Sequence, residues 1–295
     1  MNRRSNKSKS VIANLIRYAL ALLLAFFFVF PTLSMVVLSL QPDEQQITAD
    51  MGTLYAFVPR TIGLQNYYDV ANRLDVSRAF FNSFFVVSTT IISGLVINSL
   101  FAYALARLRF RGRELIITLV VALSTIPFEA IAVPLLLMVN QLPWFDTLTL
   151  PRWTWVNSYH VQIVPFIADA FSIFMFYQFF LDIPKDLEEA ALIDGASRLR
   201  IFTQVIVPLS LPAYAAIAIT QFVFKWGSFM WPLMTTIGPD FSPLTVVMQS
   251  LYGSQPFYWG DRLAFATLMS LPTLLVFLIF QKYFVRSEIS SGVKG

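Results

Sequence analysis

Three ionisable side chains interrupt long apolar stretches of the sequence and are the first candidates for chemistry: Glu129, Asp169 and Lys225. If these stretches lie in a membrane, each charge costs about 3 kcal/mol on insertion scales, so such groups usually pair or line a polar cavity. We expect Lys225 to pair with Asp169 or Glu129 beside a polar path through the membrane. Side chains that simply extend to the outer interface are the alternative. Three neighbours are expected to face the same path: Gln221, Trp226 and Ser228.

A polar insert of ten residues, EEAALIDGAS from Glu188 to Ser197, separates two apolar stretches. Carboxylates lie at its beginning and Arg198 follows its end, and this order complements the dipole of a helix. The pattern predicts one short helix over 184–200 on the membrane surface. Its small residues would let a partner protein approach closely, with Glu189 and Asp194 supplying charged contacts. A solvated linker is the alternative.

Several kinds of chemistry are excluded by what the sequence lacks. It has no cysteine and a single histidine, and it contains no H-E-x-x-H, G-x-S-x-G or G-x-x-x-x-G-K-[ST] motif. We therefore expect no catalytic residue, no metal site and no nucleotide site in this chain. Trp231 and the other outer tryptophans are expected only as an aromatic belt at the membrane interface.

The elements that would position these residues are membrane helices. Apolar residues make up 57% of the 295 residues and charged residues 13%, against about 25% charged in soluble domains. The apolar stretches do not alternate with polar residues, so a β-barrel is excluded. Each is long enough to cross a bilayer as a helix, which predicts an all-α membrane protein with six transmembrane helices. The stretches are 18–42, 79–106, 115–145, 153–181, 201–239 and 263–281.

The distribution of basic residues predicts the orientation. Fifteen Lys and Arg residues fall on one side of the predicted spans and five on the other, so both termini are expected to be cytoplasmic. The net charge of +4 is thereby explained, and no nucleic-acid partner is expected. The outer loop could meet a partner or cap the helices. The predicted organisation is a single transmembrane domain with a tail at 1–17, a first span at 18–40, an outer loop at 41–79, a five-helix core at 80–285 that includes the surface helix, and a tail at 286–295.

The insert and its continuation, EEAALIDGASRLRIFTQVIVPLSLPA, resemble the EAA signature of ABC importer permeases. FAYALARLRFRGRELI and FVFKWGSFMWPL are similar to the sugar-importer branch of that family, which includes the smaller membrane subunit of maltose importers, although Gly227 and Ser228 replace the usual Asn and Glu. The resemblance implies an ATPase-docking set consisting of Glu188, Glu189, Ala190, Ala191, Asp194, Gly195, Ala196, Phe202 and Pro208.

The resemblance also implies a type I ABC importer (MetI-like) permease fold in a bacterial or archaeal cytoplasmic membrane. Segment 184–200 would then act as a coupling helix that docks on a cytoplasmic ATPase dimer, and that dimer would bind ATP and Mg²⁺. A second homologous permease would complete the pore in the lipid bilayer, and an extracytoplasmic sugar-binding protein would deliver the solute. A membrane enzyme or scaffold acting on lipid-linked sugars is the alternative function.

Overall fold

The computed structural model describes residues 3–142, 144–145, 151–152, 154–253 and 256–291, and the side chains of 14–142, 154–253 and 256–280. Within these residues the regular secondary structure is helical except for one short antiparallel pair, β1 with β2, in which Trp144 lies opposite Arg152. The predicted tails are helical where described, as extensions of α1 and α15, and residues 1–2 and 292–295 lie outside the described part.

The elements follow in chain order. They are α1 (Arg3–Ser39), α2 (Glu44–Asp50), α3 (Gln65–Arg73), α4 (Val76–Arg107), α5 (Arg113–Ser124), α6 (Phe128–Val139), β1 (Trp144–Phe145), β2 (Pro151–Arg152), α7 (Tyr159–Ile163), α8 (Ala170–Asp182), α9 (Asp186–Ile193), α10 (Arg198–Ile201), α11 (Val207–Leu209), α12 (Leu211–Trp226), α13 (Met230–Thr235), α14 (Leu244–Gly253) and α15 (Trp259–Ser291). Short 3₁₀ turns lie at Leu54–Ala56 and Val164–Phe166, and a π-helical turn at Phe202–Ile206 connects α10 to α11.

Four segments of the described chain are long and apolar enough to cross a membrane: Asn14–Ser39, Val76–Arg107, Tyr159–Asp182 and Trp259–Phe280. Two further segments pass the same test as bent pairs, α5 with α6 at 103° and α10–α11 with α12 at 75°. Counting each pair as one crossing gives six, which agrees with the prediction of a six-helix membrane protein.

The first bend lies in the third predicted span, 115–145, where Pro127 and Pro134 predict a bent helix. Pro127 precedes α6 as its N-terminal cap, and proline disfavours helical geometry in the residue before it. Pro134 lies inside α6, which continues to Val139, so the predicted bend occurs at Pro127 and not at Pro134. The second bend follows Ser210, whose hydroxyl donates to the carbonyl of Ile206 over 2.7 Å.

The chain forms two compact units, and the first consists of Met1–Leu74 and Met248–Ser270. Its outer loop folds into α2, a 3₁₀ turn and α3, with Ile47 fully buried. The Glu44 carboxylate accepts hydrogen bonds from the backbone N–H groups of Trp259 and Gly260, over 2.6 and 3.0 Å. Because these N–H groups have no partner within a helix, the outer loop caps the beginning of α15.

The second unit consists of Asp75–Val247 and Leu271–Gly295. Asp75 caps α4, and hydrogen bonds from the Arg78 N–H and the Ser77 hydroxyl lower the pKa of its exposed carboxyl group. Further along α4, Gly94 allows close approach, because a Cβ there would lie 3.1 Å from the carbonyl oxygen of Ile167. The packing of α4 against α8 buries a core that contains Ala102, Leu105, Phe176, Phe180, Ile201 and Ile206.

Candidate functional site

The second unit contains a cavity of about 630 Å³. All six residues predicted for the path line it: Glu129, Asp169, Gln221, Lys225, Trp226 and Ser228. Glu129 lies in α6 and Asp169 directly precedes α8. The other four lie in α12 or, for Ser228, two residues after it. The fold thus brings together positions from three predicted spans. Apart from Trp226, sequence reasoning missed the aromatic residues of the lining, which include Phe128, Phe166, Phe171, Phe224 and Trp231.

Asp169 is fixed by contacts from three directions. Its Oδ2 accepts hydrogen bonds from the backbone N–H of Ser172, as the N-terminal cap of α8, and from Nε2 of Gln221, each over 2.7 Å. Its own N–H donates to Oδ1 of Asn98 over 3.1 Å. The carboxylate is therefore held as a fixed acceptor between α4, α8 and α12.

Lys225 lies in the same lining, but the ion pair predicted for it is not formed. Its Nζ donates to the carbonyl oxygen of Phe166 over 3.4 Å and lies 5.4 Å from the centre of the Phe166 ring. Among the described side chains, no carboxylate lies within 4.0 Å of this amine. Asp169 instead accepts hydrogen bonds from Gln221 and from the N-terminus of α8. The position of Lys225 is favourable without a carboxylate, because a cation is attracted to the face of an aromatic ring.

Trp231 has a different position from the predicted interface belt. Its side chain is buried, and its indole N–H donates to the carbonyl oxygen of Val161 over 2.8 Å. Its ring meets those of Phe128 and Phe166 edge to face, with centroids 5.8 and 5.7 Å apart. The signal that could have identified it is its place in FVFKWGSFMWPL, in which Trp226 also lines the cavity.

The predicted surface helix over 184–200 is two helices joined by a turn, so the prediction of one continuous helix is wrong at 194–197. Gly195 has a φ of +79°, its N–H donates to the Leu192 carbonyl over 3.0 Å, and the Ala196 N–H donates to the Ala191 carbonyl over 2.9 Å. These two bonds define a Schellman motif that ends α9. Gly195 is therefore a turn residue with left-handed geometry, and not part of a helical ridge.

The predicted docking residues divide into exposed and buried members. Glu188 is buried, with its Oε1 2.8 Å from Nε of Arg107. Phe202 is also buried, against the ring of Tyr103, and Ala191 and Ala196 are half-buried. The exposed members are Glu189, Ala190, Asp194, Gly195 and Pro208. Exposed apolar side chains that sequence reasoning missed adjoin them at Leu192, Ile193 and Leu199. We call residues 186–201 the docking segment.

This fold and these sites define a multi-pass helical membrane protein with a cavity and an exposed segment that contains most of the predicted docking residues. The chain belongs to the family described as binding-protein-dependent transport system inner membrane component, whose family model matches residues 94–289. The matched range contains most of the cavity lining and the whole docking segment. Family membership favours a transport subunit over the membrane enzyme or scaffold considered as the alternative.

Related transport proteins are similar to this chain along nearly its whole length. The arabinooligosaccharides transport system permease protein AraQ of Halalkalibacterium halodurans is 30% identical over 92% of this chain and 93% of its own. The osmoprotective compounds uptake permease protein GgtD of Synechocystis is 33% identical over 93% of this chain and 90% of its own. A chain of a bacterial ABC transporter involved in the import of the acidic polysaccharide alginate shares the fold, with a TM-score of 0.77 at 19% identity over 96% of this chain and 99% of that one.

Proposed function

We propose that the chain is the transmembrane permease subunit of an ATP-driven ABC importer that takes up a sugar or oligosaccharide across a bacterial or archaeal cytoplasmic membrane. The observation that carries the proposal is that one compact unit contains both a cavity lined by polar and aromatic side chains and an exposed segment with the EAA pattern. A cavity alone would fit a channel or a receptor, and the docking segment adds a place for an external motor.

The chemistry of the cavity supports a polyhydroxylated solute. Sugar hydroxyls need both donors and acceptors, and the C–H faces of sugar rings suit aromatic surfaces. Lys225 supplies a donor, while Glu129 and Asp169 supply acceptors. The aromatic residues listed above surround them, and a volume of about 630 Å³ falls within the range of sites for small molecules. A sugar or short oligosaccharide fits this combination better than an ion or an apolar compound does.

Energy would come from a partner, because the sequence contains no phosphate-binding loop of its own. In this proposal a cytoplasmic ATPase dimer binds ATP and Mg²⁺ and receives the docking segment in a surface cleft. The exposed carboxylates of Glu189 and Asp194 flank the apolar side chains of Leu192 and Ile193. Apolar contacts would supply affinity at such an interface, and the charged groups around them would supply orientation.

Two further partners complete the proposed importer. The family is named for its dependence on a binding protein, and an extracytoplasmic sugar-binding protein would deliver the solute to the outer face. A second homologous permease would complete the pore. In α1, no residue of the apolar window within Asn14–Ser39 is buried, so lipid and the second permease would cover this helix. The Lys and Arg distribution supports an orientation with both termini in the cytoplasm.

Transport by the reconstituted complex tests the proposal. The ligand of the partner binding protein is first identified by calorimetry with a panel of sugars. Uptake of that sugar is then measured in liposomes that contain this chain, its partner permease and the ATPase. We expect uptake that requires both ATP and the loaded binding protein. Uptake that proceeds without ATP, or no uptake of any bound ligand, would contradict the proposal.

A matched pair of variants tests the docking segment in the same assay. Glu189→Gln removes an exposed carboxylate from the segment, and Glu114→Gln removes an exposed carboxylate from the first turn of α5. We expect the first variant to reduce ATP-dependent uptake and binding of the ATPase, whereas the second leaves both unchanged. Equal effects of the two would show that general surface charge, and not docking at this segment, is responsible.

A further inference from the structure

Arg107, the last residue of α4, connects three helix ends. Its Nε lies 2.8 Å from Oε1 of Glu188 in α9. Its Nη2 donates to the carbonyl oxygens of Phe180 and Ile183, the second over 2.5 Å, at the end of α8. Only 3% of the Arg107 side chain and 6% of the Glu188 side chain are exposed. One buried guanidinium thus joins the docking segment to α4 and to α8.

The charges of Arg107 and Glu188 are favourable at the helix ends that they contact. The last carbonyls of a helix have no partner within it, and the C-terminal end of a helix carries partial negative charge, so a cation at the end of α8 is favourable. Glu188 lies in the first turn of α9, where the partial charge is positive. Arg198, 4.0 Å from Oε2 of Glu188 and about half-exposed, adds a weaker contact. Glu188 is consequently occupied inside the protein and unavailable to a partner.

The other end of α8 reaches the cavity. This helix has 13 residues, a length of roughly 20 Å at 1.5 Å per residue. It begins after Asp169, which lines the cavity and accepts the hydrogen bond from Gln221, and it ends at the carbonyls held by Arg107. A displacement of α9 that Arg107 passes to α8 would therefore reach a residue in the cavity lining.

We propose that Arg107 is a positioning residue that fixes the docking segment rigidly to α4 and α8, so that movement imposed on the segment is transmitted through α8 to the cavity. The inference rests on the proposed function, since it requires a partner that moves the segment. It assigns Glu188 to this internal attachment and leaves Glu189 and Asp194 for contact with the partner. Transmission of this kind requires the attached helices to move as one body between two states.

The rigid attachment is tested directly by distance measurements. The chain has no cysteine, so Met175→Cys with Leu187→Cys gives one unique pair for spin labels at exposed positions in α8 and α9 that are assigned neither to the cavity lining nor to the partner contact. In the assembled complex we expect a narrow distance distribution that is unchanged between the nucleotide-free and ATP-bound states. In the Arg107→Met background the distribution should broaden or shift with nucleotide. A distance that changes with nucleotide in the complex with Arg107 intact would overturn the proposal.

Transport stoichiometry gives the functional test. Arg107→Met leaves Glu188 without its buried partner, so the double variant Arg107→Met with Glu188→Leu is made as well, because apolar pairs often replace a buried ion pair without loss of folding. We expect the double variant to assemble and hydrolyse ATP, while the ATP hydrolysed per solute imported rises at least tenfold. Arg107→Lys should recover part of the coupling, since lysine keeps the charge but lacks the planar set of donors.

The transport assay can distinguish a wrong role for Arg107 from a wrong proposed function. Arg109→Met removes an exposed arginine two residues later and should leave the stoichiometry unchanged. If the unmodified complex fails to transport, the proposed function is wrong. If the unmodified complex transports and the double variant transports with the same ATP requirement, the proposed function stands and the role of Arg107 is wrong.

Discussion

The side-chain amide of Gln221 donates a 2.7 Å hydrogen bond to Oδ2 of Asp169 and joins α12 to the beginning of α8 within the cavity lining. The same amide nitrogen lies 2.9 Å from the hydroxyl oxygen of Ser172. A half-buried carboxylate is thus held by a neutral donor, and Lys225 is left with the Phe166 carbonyl and ring. The cavity lining therefore contains a fixed acceptor and, separate from it, an amine.

Gln221→Leu tests this arrangement. The variant removes the donor but leaves the cap from the Ser172 N–H in place, and loss of a partner by a buried polar group costs about 1–3 kcal/mol. We expect solute uptake to fall by roughly tenfold, the factor that ~1.4 kcal/mol represents. Gln221→Glu should be more harmful, because it places a second carboxylate beside Asp169. Thr220→Val, at the neighbouring half-buried position whose hydroxyl bonds within α12, is the control, and an equal loss there would contradict the assignment.

Lys225→Met tests the amine in the cavity. The substitution keeps much of the side-chain length and the apolar stem but removes the charge, and since no ion pair is broken we expect the complex to assemble normally. The solute concentration that gives half-maximal uptake should rise several-fold, because a hydrogen-bond donor is lost from the lining. The measurement is uptake against solute concentration, with Arg111→Met at an exposed position outside the docking segment as the control. Unchanged uptake in Lys225→Met would show that the amine does not contact the solute.

The membrane helices could be predicted from the sequence because lipid requires long apolar stretches, and composition alone reveals them. The bend at Pro127 could also be predicted, since proline limits the local backbone. The bend at Ser210 was not predicted, although Pro208 and Pro212 flank it in the sequence and Pro212 lies at the beginning of α12. The hydrogen bonds of Ser210 to Ile206, which close the preceding turn, become visible only in the structure. Periodicity reports which residues face lipid or protein, and it contains little information about bends between apolar segments.

The positions of the candidate sites could be predicted from the sequence, but the roles of individual residues within them could not. Ionisable residues in apolar stretches identified the cavity lining, because burial of charge is costly anywhere else. The sequence could not distinguish the roles of Glu188 and Glu189, which are adjacent and chemically alike. The distinction depends on Arg107, which is distant in sequence and buried against Glu188 only in the folded chain. The ion pair predicted for Lys225 was wrong for a similar reason, since Gln221 is the closer partner of Asp169.

Gly195 offers a test that separates backbone geometry from size. A Cβ at this position would meet no atom within 4 Å, so Gly195→Ala is harmful only through its left-handed conformation, at about 1–2 kcal/mol. Asparagine adopts that conformation more readily, and we expect Gly195→Asn to retain most ATP-dependent uptake while Gly195→Ala loses more. The readouts are uptake and ATPase binding. If Asn is as harmful as Ala or worse, the partner requires a small residue here, and the turn is not the reason for the glycine.

Gly260 at the beginning of α15 gives a corresponding test of the first unit. A Cβ here would lie 2.4 Å from Oδ1 of Asn66, and Asn66 cannot easily move, because its Nδ2 donates to the carbonyls of Ser39 and Gln41 over 2.9 and 2.7 Å. We expect Gly260→Ala to lower the free energy of unfolding by about 1–3 kcal/mol through overpacking. The measurement is thermal unfolding in detergent.

Two comparisons decide whether that loss arises from the contact with Asn66. Gly253→Ala adds a methyl group in open space, with no atom within 4 Å, and should leave the stability unchanged or slightly higher. In an Asn66→Ala background the obstructing amide is absent, so adding Gly260→Ala should then have little effect, and the double-mutant cycle should give a clear interaction energy. Additive losses in that cycle would mean that the glycine is required by the backbone of α15 and that the outer loop does not fix the beginning of the last membrane helix through Asn66.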